Sequence, residues 1–247
     1  MTDKPHKRTA IVLGGSGSVG AGLLRELFHD DGFDAVITLS RRSLPEAVAM
    51  ARTAGRRLVE RLVPEMQPAP LAAATLAAAS EVDGDLEGFS VLGVGAGTAK
   101  LTLAEHRAVD VALNEAFAQA LRASGKVRHL GFMSAAGADP TAKTSGSGGA
   151  GMSRYNRVKG EAEAAVRASG PAIVSVFRPA MIIGSQHTPW LLEKALPLFS
   201  FVTLAKYRSI RVEQIAKAMV AAAKQHPAAS AVYHYPEMMA LIAGDVA

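Results

Sequence analysis

Residues 9–24, TAIVLGGSGSVGAGLL, decide the fold: an apolar, β-branched run from Thr9 to Leu13, then Gly14-x-x-Gly17-x-x-Gly20, then the start of a helix. A strand that breaks on glycines and runs straight into a helix is the setting in which a phosphate-binding turn belongs. Glycines let the chain turn sharply, let the backbone approach a pyrophosphate and seat the helix on its strand. The helix's first N–H groups and its dipole then favour an anion. The bland alternative is a tight turn with no ligand.

The same alternation continues outward from this stretch. Strands are expected at Thr9–Leu13, Ala35–Leu39, Leu58–Val63, Phe89–Val94, Arg128–Ser134, Ala172–Arg178 and Val232–Tyr235, and helices at Ser18–His29, Pro45–Ala54, Leu71–Ser80, Leu103–Ser124, Ser153–Ser169 and Val212–Gln225. Several of the strands are continuously apolar, as strands covered on both faces are. Right-handed βαβ units at this spacing build an α/β fold: a doubly wound, mostly parallel Rossmann-type sheet with helices on both faces, binding its ligand beyond the carboxyl ends of the strands. One domain, 1–247, is expected, with a small substrate-side portion from about 179 to 247. The rhythm breaks at Thr144–Gly151 (TSGSGGAG) and at Pro179–Lys206.

Composition narrows the chemistry. The 247 residues contain no cysteine, are 49% hydrophobic and 20% charged, and carry a net charge of +5. A chain of this length buries roughly three quarters of its unfolded surface, so disorder is excluded as the main state. Thiolate nucleophiles, Cys-type zinc sites and disulfides are excluded too, and no paired-histidine motif suggests another metal. The cations are scattered rather than interleaved with aromatics, which argues against nucleic acid. No apolar run reaches the ~18 residues of a membrane span, and the N-terminal stretch reads as a polar tail entering a strand, so cytoplasmic residence is the default.

The second strand ends Leu39-Ser40-Arg41-Arg42. An acid at this point would bind the ribose 2′-OH of NAD, whereas arginine, with its planar fork, accommodates the 2′-phosphate of NADP. The expectation is therefore NADP(H) in preference to NAD(H).

Ser153-Arg-Tyr155-Asn-Arg-Val-Lys159-Gly160-Glu161 follows the glycine-rich stretch. With Ser153 as N-cap, Tyr155 and Lys159 fall at i and i+4 on one helical face. A phenol of pKa near ~10 is a poor base at neutral pH, and a fixed ammonium nearby favours the phenolate. Tyr155 would then exchange a proton with a carbonyl or carbinol oxygen while hydride moves to or from nicotinamide. Ser134 ends the fifth strand, where its hydroxyl could bond the same oxygen.

These features resemble the short-chain dehydrogenase/reductase superfamily over nearly the whole chain, from Thr9 to about Ala240. Within it the chain looks most like the atypical NAD(P)-binding branch that includes Tat-interacting-protein-like oxidoreductases and NAD-dependent epimerase/dehydratase-like proteins. The resemblance implies that Gly14, Ser16, Gly17, Ser18, Val19 and Gly20 surround the pyrophosphate and that Arg41 and Arg42 surround the adenosine phosphate. It places Gly95, Ala96 and Gly97 along the adenosine and ribose, makes Ser134, Tyr155 and Lys159 catalytic, and sets the segment Arg178, Pro179, Ala180 and Met181 beside the nicotinamide amide. Asp110 occupies roughly the place where relatives carry a helix Asn that assists a proton relay; the alternative is a polar core residue.

The expected activity is hydride transfer on a small carbonyl or alcohol. A sensor that binds NADP(H) without turnover is the alternative, and a nucleotide-sugar epimerase ranks below both, since little chain follows Arg178 to build a sugar lobe. Met152, Met181, Ile182, Ile183, Trp190 and Leu191 are candidates for an apolar pocket wall, and Ser145–Gly151 for a lid. Relatives dimerise through the helices Leu103–Ser124 and Ser153–Ser169, so a homodimer is one expectation and a monomer the other.

Overall fold

The computed structural model describes residues 8–95, 100–144, 150–184 and 205–245. Seven parallel strands form one sheet: β1 Arg8–Leu13, β2 Phe33–Ser40, β3 Arg57–Leu62, β4 Leu86–Ser90, β5 Val127–Met133, β6 Ile173–Phe177 and β9 Ala231–Tyr233, in the order β3-β2-β1-β4-β5-β6-β9. A separate parallel pair, β7 Ile182–Ile183 and β8 Ile210–Arg211, lies beyond β6. Strand order reverses between β1 and β4, and a crevice opens at such a switch point. The doubly wound α/β architecture is as expected.

Every residue of β1 is buried, which explains the apolar run from Ala10 to Leu13. Ala10 and Val12 face a core shared with α1 (Ser18–His29) and α7 (Val212–Lys224); Ile11 and Leu13 face the other, against α3 (Pro68–Ser80), α5 (Asn114–Ala123) and α6 (Ala150–Ser169). α1 sits close on α7, since a Cβ on Gly22 would stand 2.7 Å from Val212 Cγ1. α2 (Pro45–Thr53) also packs on α1. On the α7 face a polar row crosses four strands. Arg8 bonds Glu87 at 3.0 Å and the Ala223 carbonyl at 2.8 Å, and His129 spans Glu87 at 3.0 Å and Ser175 at 2.9 Å. Each buried charge there has a partner, without which it would cost several kcal/mol.

Several boundaries depart from the sequence reading. The expected helix Leu103–Ser124 is three pieces: α4 (Leu103–Arg107), a π-helical turn (Ala108–Leu113) and α5. The wide turn lets the Asn114 side chain donate to the Asp110 carbonyl at 2.8 Å and accept from Ser90. Amphipathic periodicity carries no sign of such a turn, because one extra residue shifts the pattern only locally. The sixth helix starts at Ala150, so Ser153 lies inside it and is no N-cap; its hydroxyl donates to the Lys143 carbonyl. β4 ends at Ser90, and a final helix, α8 (Tyr235–Asp245), follows β9 where none was expected. Among the described residues no helix is long and apolar enough to cross a membrane.

Candidate functional site

The glycine turn after β1 lies at the switch point. Gly14 adopts φ +92°, and a Cβ there would stand 2.6 Å from Leu92 N, so the turn passes directly against the segment leaving β4. Gly20 is closer still: its Cβ would meet the Gly14 carbonyl oxygen at 2.1 Å. Gly17 differs, because its Cβ would find nothing nearer than 3.7 Å, and it is exposed beside exposed Ser16. Val19 is buried in the core beneath the turn. α1 begins after Gly17 with no side-chain cap on its first turn, the arrangement that leaves helix amides for an anion. Two glycines thus shape the turn and the third keeps its outer face open.

At the end of β2, Arg41 and Arg42 are exposed and have no ion-pair partner among the described residues; Ser40 Oγ donates to the Arg42 carbonyl at 2.8 Å and shapes the strand exit. Gly95, at φ +58°, ends the described segment after β4. Ala96 and Gly97 lie outside the described residues, as do Trp190, Leu191 and most of the candidate lid at 145–151.

Tyr155 and Lys159 lie together on α6, with Lys159 Nζ 5.7 Å from the centre of the Tyr155 ring. Lys159 is 2% exposed and pairs with Asp110 Oδ1 at 2.7 Å. The π turn carries Asp110 to this point, and its other oxygen accepts the Val94 amide at 2.9 Å. Burial alone would raise the Asp110 carboxyl; the Lys159 ammonium, the His106 edge and the Val94 amide outweigh it and hold the group down at about 2. Burial would likewise lower Lys159, but the Tyr155 phenol and the Asp110 and Glu163 carboxylates outweigh it and hold the ammonium above its ordinary range. Both members of the pair are therefore charged at neutral pH. The sequence reading left Asp110 between a relay position and a core polar residue; the structure sets it on Lys159.

Ser134 is just past the end of β5, as expected, but its hydroxyl donates to Glu163 Oε1 at 2.5 Å. Glu163, one helical turn beyond Lys159, also takes Arg178 in a two-pronged pair at 2.8 and 2.7 Å, which raises the guanidinium further. The Ser134 amide donates to the Phe177 carbonyl and the Ala136 amide to the Pro179 carbonyl, so the ends of β5 and β6 are tied together here. Pro179 is buried, Ala180 half-buried and Met181 47% exposed, and Met152 and Tyr207 are exposed as well.

Two residues that sequence reasoning passed over, Glu163 and His106, converge on this site. Glu163 forms one group with Ser134 and with Arg178, which the resemblance had set in the nicotinamide segment. His106, on α4, is fully buried and stacks on Tyr155, with ring centres 6.1 Å apart and planes at 21°. A spacing of one helical turn, His106 to Asp110, was the available signal, and it pointed to a shared face without saying what that face met.

The described site and sheet define a Rossmann-type α/β domain, and its fold is that of solved short-chain dehydrogenase/reductase structures. It is similar to the short-chain dehydrogenase/reductase from Serratia marcescens (21% identity over 94% of this chain and 99% of that one, TM-score 0.66), to an actinorhodin polyketide ketoreductase solved with NADPH (15% identity, 94% and 97% covered, TM-score 0.64) and to the Cj0485 dehydrogenase (13% identity, 95% of each covered, TM-score 0.63). No protein-family model matches the chain, and no curated protein matches it by sequence.

Proposed function

We propose that this chain is an NADP(H)-dependent oxidoreductase of the atypical short-chain dehydrogenase/reductase type, acting on a small carbonyl or alcohol. The observation that carries the reading is Tyr155 beside a buried, charged Lys159 on the helix that follows the glycine turn and strand ends of a doubly wound sheet. A dinucleotide fits the residues present: an open backbone at Gly17, an uncapped helix start and two arginines, exposed and without an ion-pair partner among the described residues, where a 2′-phosphate belongs.

When bound, the nicotinamide supplies the hydride. The chain's own residues do the rest. The α1 start and Gly17 hold the pyrophosphate, and Arg41 and Arg42 hold the adenosine phosphate. Tyr155 gives its phenolic proton to the carbonyl oxygen in reduction, or accepts the carbinol proton in oxidation. Lys159 keeps its charge beside the phenol and offers its remaining N–H groups to ribose hydroxyls. Asp110 fixes that ammonium in place. Met152, Met181 and Tyr207 favour an apolar substrate portion.

One observation favours the second reading, a binder of NADP(H) that does not turn over. The Ser134 hydroxyl, expected on the substrate oxygen, is held by Glu163. Two measurements separate the readings: NADPH oxidation across a panel of aldehydes and ketones, and NADPH binding by nicotinamide fluorescence. Turnover that Tyr155→Phe lowers by about a thousandfold, with binding intact, is the expected result for general acid catalysis combined with loss of the proton donor. Tight binding with no turnover on any carbonyl would leave the sensor reading. Absence of dinucleotide binding would falsify both.

A further inference from the structure

We propose that His106 is a positioning residue of the Tyr155–Lys159 site, holding the tyrosine ring with its face and the Asp110 carboxylate with its edge; this rests on the oxidoreductase reading above. His106 is 0% exposed, and neither ring nitrogen has a hydrogen-bond partner among the described residues. A buried imidazole left in that state is costly, and a leucine or phenylalanine would fill the same space without the cost. A packing role therefore does not account for a histidine here. The groups it meets are those of the site: the Tyr155 ring on its face, and Asp110 Oδ2 with 3.7 Å to His106 Nε2.

That 3.7 Å is within reach of a charge contact and just beyond a hydrogen bond. Bonds at acid–base sites are often long before ligand binds and tighten in the complex, and a shift of under about 1 Å closes this one. The charged or titratable neighbours are Asp110 from the π turn and Tyr155 and Lys159 from α6, while Arg107, next in sequence, is turned away onto Glu161 at 2.7 Å. Asp110 already joins Lys159 to the Val94 amide beside the glycine turn. His106 thus completes a frame in which α4, the π turn, the β4 exit and α6 fix the phenol and the ammonium relative to each other.

The test compares His106→Phe, which keeps the stacked ring and loses the nitrogen edge, with His106→Gln, whose amide nitrogen reaches the place of Nε2. The readouts are NADPH-dependent turnover of the best carbonyl in the panel and unfolding by urea. The Phe variant is expected to stay folded, with KM for NADPH within about twofold of wild type and kcat lowered about tenfold, as for a misplaced acid–base group. His106→Gln should recover part of that loss. Wild-type kcat in the Phe variant, or no recovery in the Gln variant, overturns the proposal. A second measurement does not depend on turnover: the effects of His106→Phe and Asp110→Asn on the unfolding constant should depart from simple multiplication by about fivefold, as for contacting residues. Should the wild-type chain reduce no carbonyl, the functional reading fails and this cycle alone decides whether His106 and Asp110 act together; independent effects overturn the proposal.

Discussion

A Cβ on Gly93 would stand 2.7 Å from Lys159 Nζ and 3.0 Å from Asp110 Oδ1. The bare backbone of residue 93 is one wall of the compartment that holds the ion pair. In Gly93→Ala the ammonium must move, yet its stem is buried and its partner is fixed by the Val94 amide. Overpacking of this kind costs about 1–3 kcal/mol. Urea unfolding should show that loss together with reduced turnover, and a variant as stable and active as the parent would mean that Lys159 has slack.

Asp110 makes stability fall in acid. Its carboxyl drops from an ordinary 3.8 to about 2 in the folded chain. A depressed carboxyl contributes stability that is present above the unfolded value and is lost as pH falls through the folded one. The contribution is about 2 kcal/mol, lost between about pH 4 and pH 2. Asp110→Asn lacks this titration, so the stability gap between wild type and variant should shrink over that window; a gap independent of pH contradicts the assignment. Asp110→Ala should cost about 3–5 kcal/mol at neutral pH and exceed the cost of Asp110→Asn, because both leave Lys159 buried without a counter-charge but only alanine also deprives the Val94 amide of its acceptor.

Gly17 and Gly20 separate ligand binding from folding. Alanine at 20 would press on the Gly14 carbonyl and should destabilise the chain by about 1–3 kcal/mol. Alanine at 17 meets nothing closer than 3.7 Å, so its melting temperature should match wild type while NADPH affinity falls at least about tenfold. Equal affinity in Gly17→Ala would move the pyrophosphate away from this turn.

Arg41 and Arg42 carry the proposed cofactor preference. Each charge-assisted contact to phosphate is worth about 1.5–3 kcal/mol, so the Arg41→Ala/Arg42→Ala chain should bind NADPH at least about a hundredfold more weakly and NADH much as before. Titration with both dinucleotides checks this. A wild-type chain that holds NADH and NADPH equally removes its basis.

What was legible in advance was local. The turn Gly14–Gly20 and the pair Tyr155/Lys159 each lie within one turn or helix, so spacing alone brought their residues together. The unbroken apolar strands announced a sheet covered on both sides. What stayed hidden depended on contacts between distant segments. His106 meets Tyr155 across 49 positions and Ser134 meets Glu163 across 29, and no periodicity in either segment encodes its partner. Ser153 looked like a helix cap because the helix was thought to begin there; the structure starts it three residues earlier, at Ala150. Asp110 was noticed for its place on a long helix, and its bond to Lys159 became visible only with the π turn.

That turn also makes chain length part of the site. A wide turn takes up one residue more than an α-helical turn, so removing a single residue between 108 and 113 would let the helix rewind regularly with its two flanks still facing the same sides. His106 and Asp110 precede the centre of the turn; Leu113 and Asn114, which anchor it to the core and to β4, follow it. A deletion that preserves every named side chain would therefore leave both flanks in place and re-aim only the residues of the turn itself, Asp110 among them, and lengthening a neighbouring loop could not compensate, because the error is one of angle rather than reach.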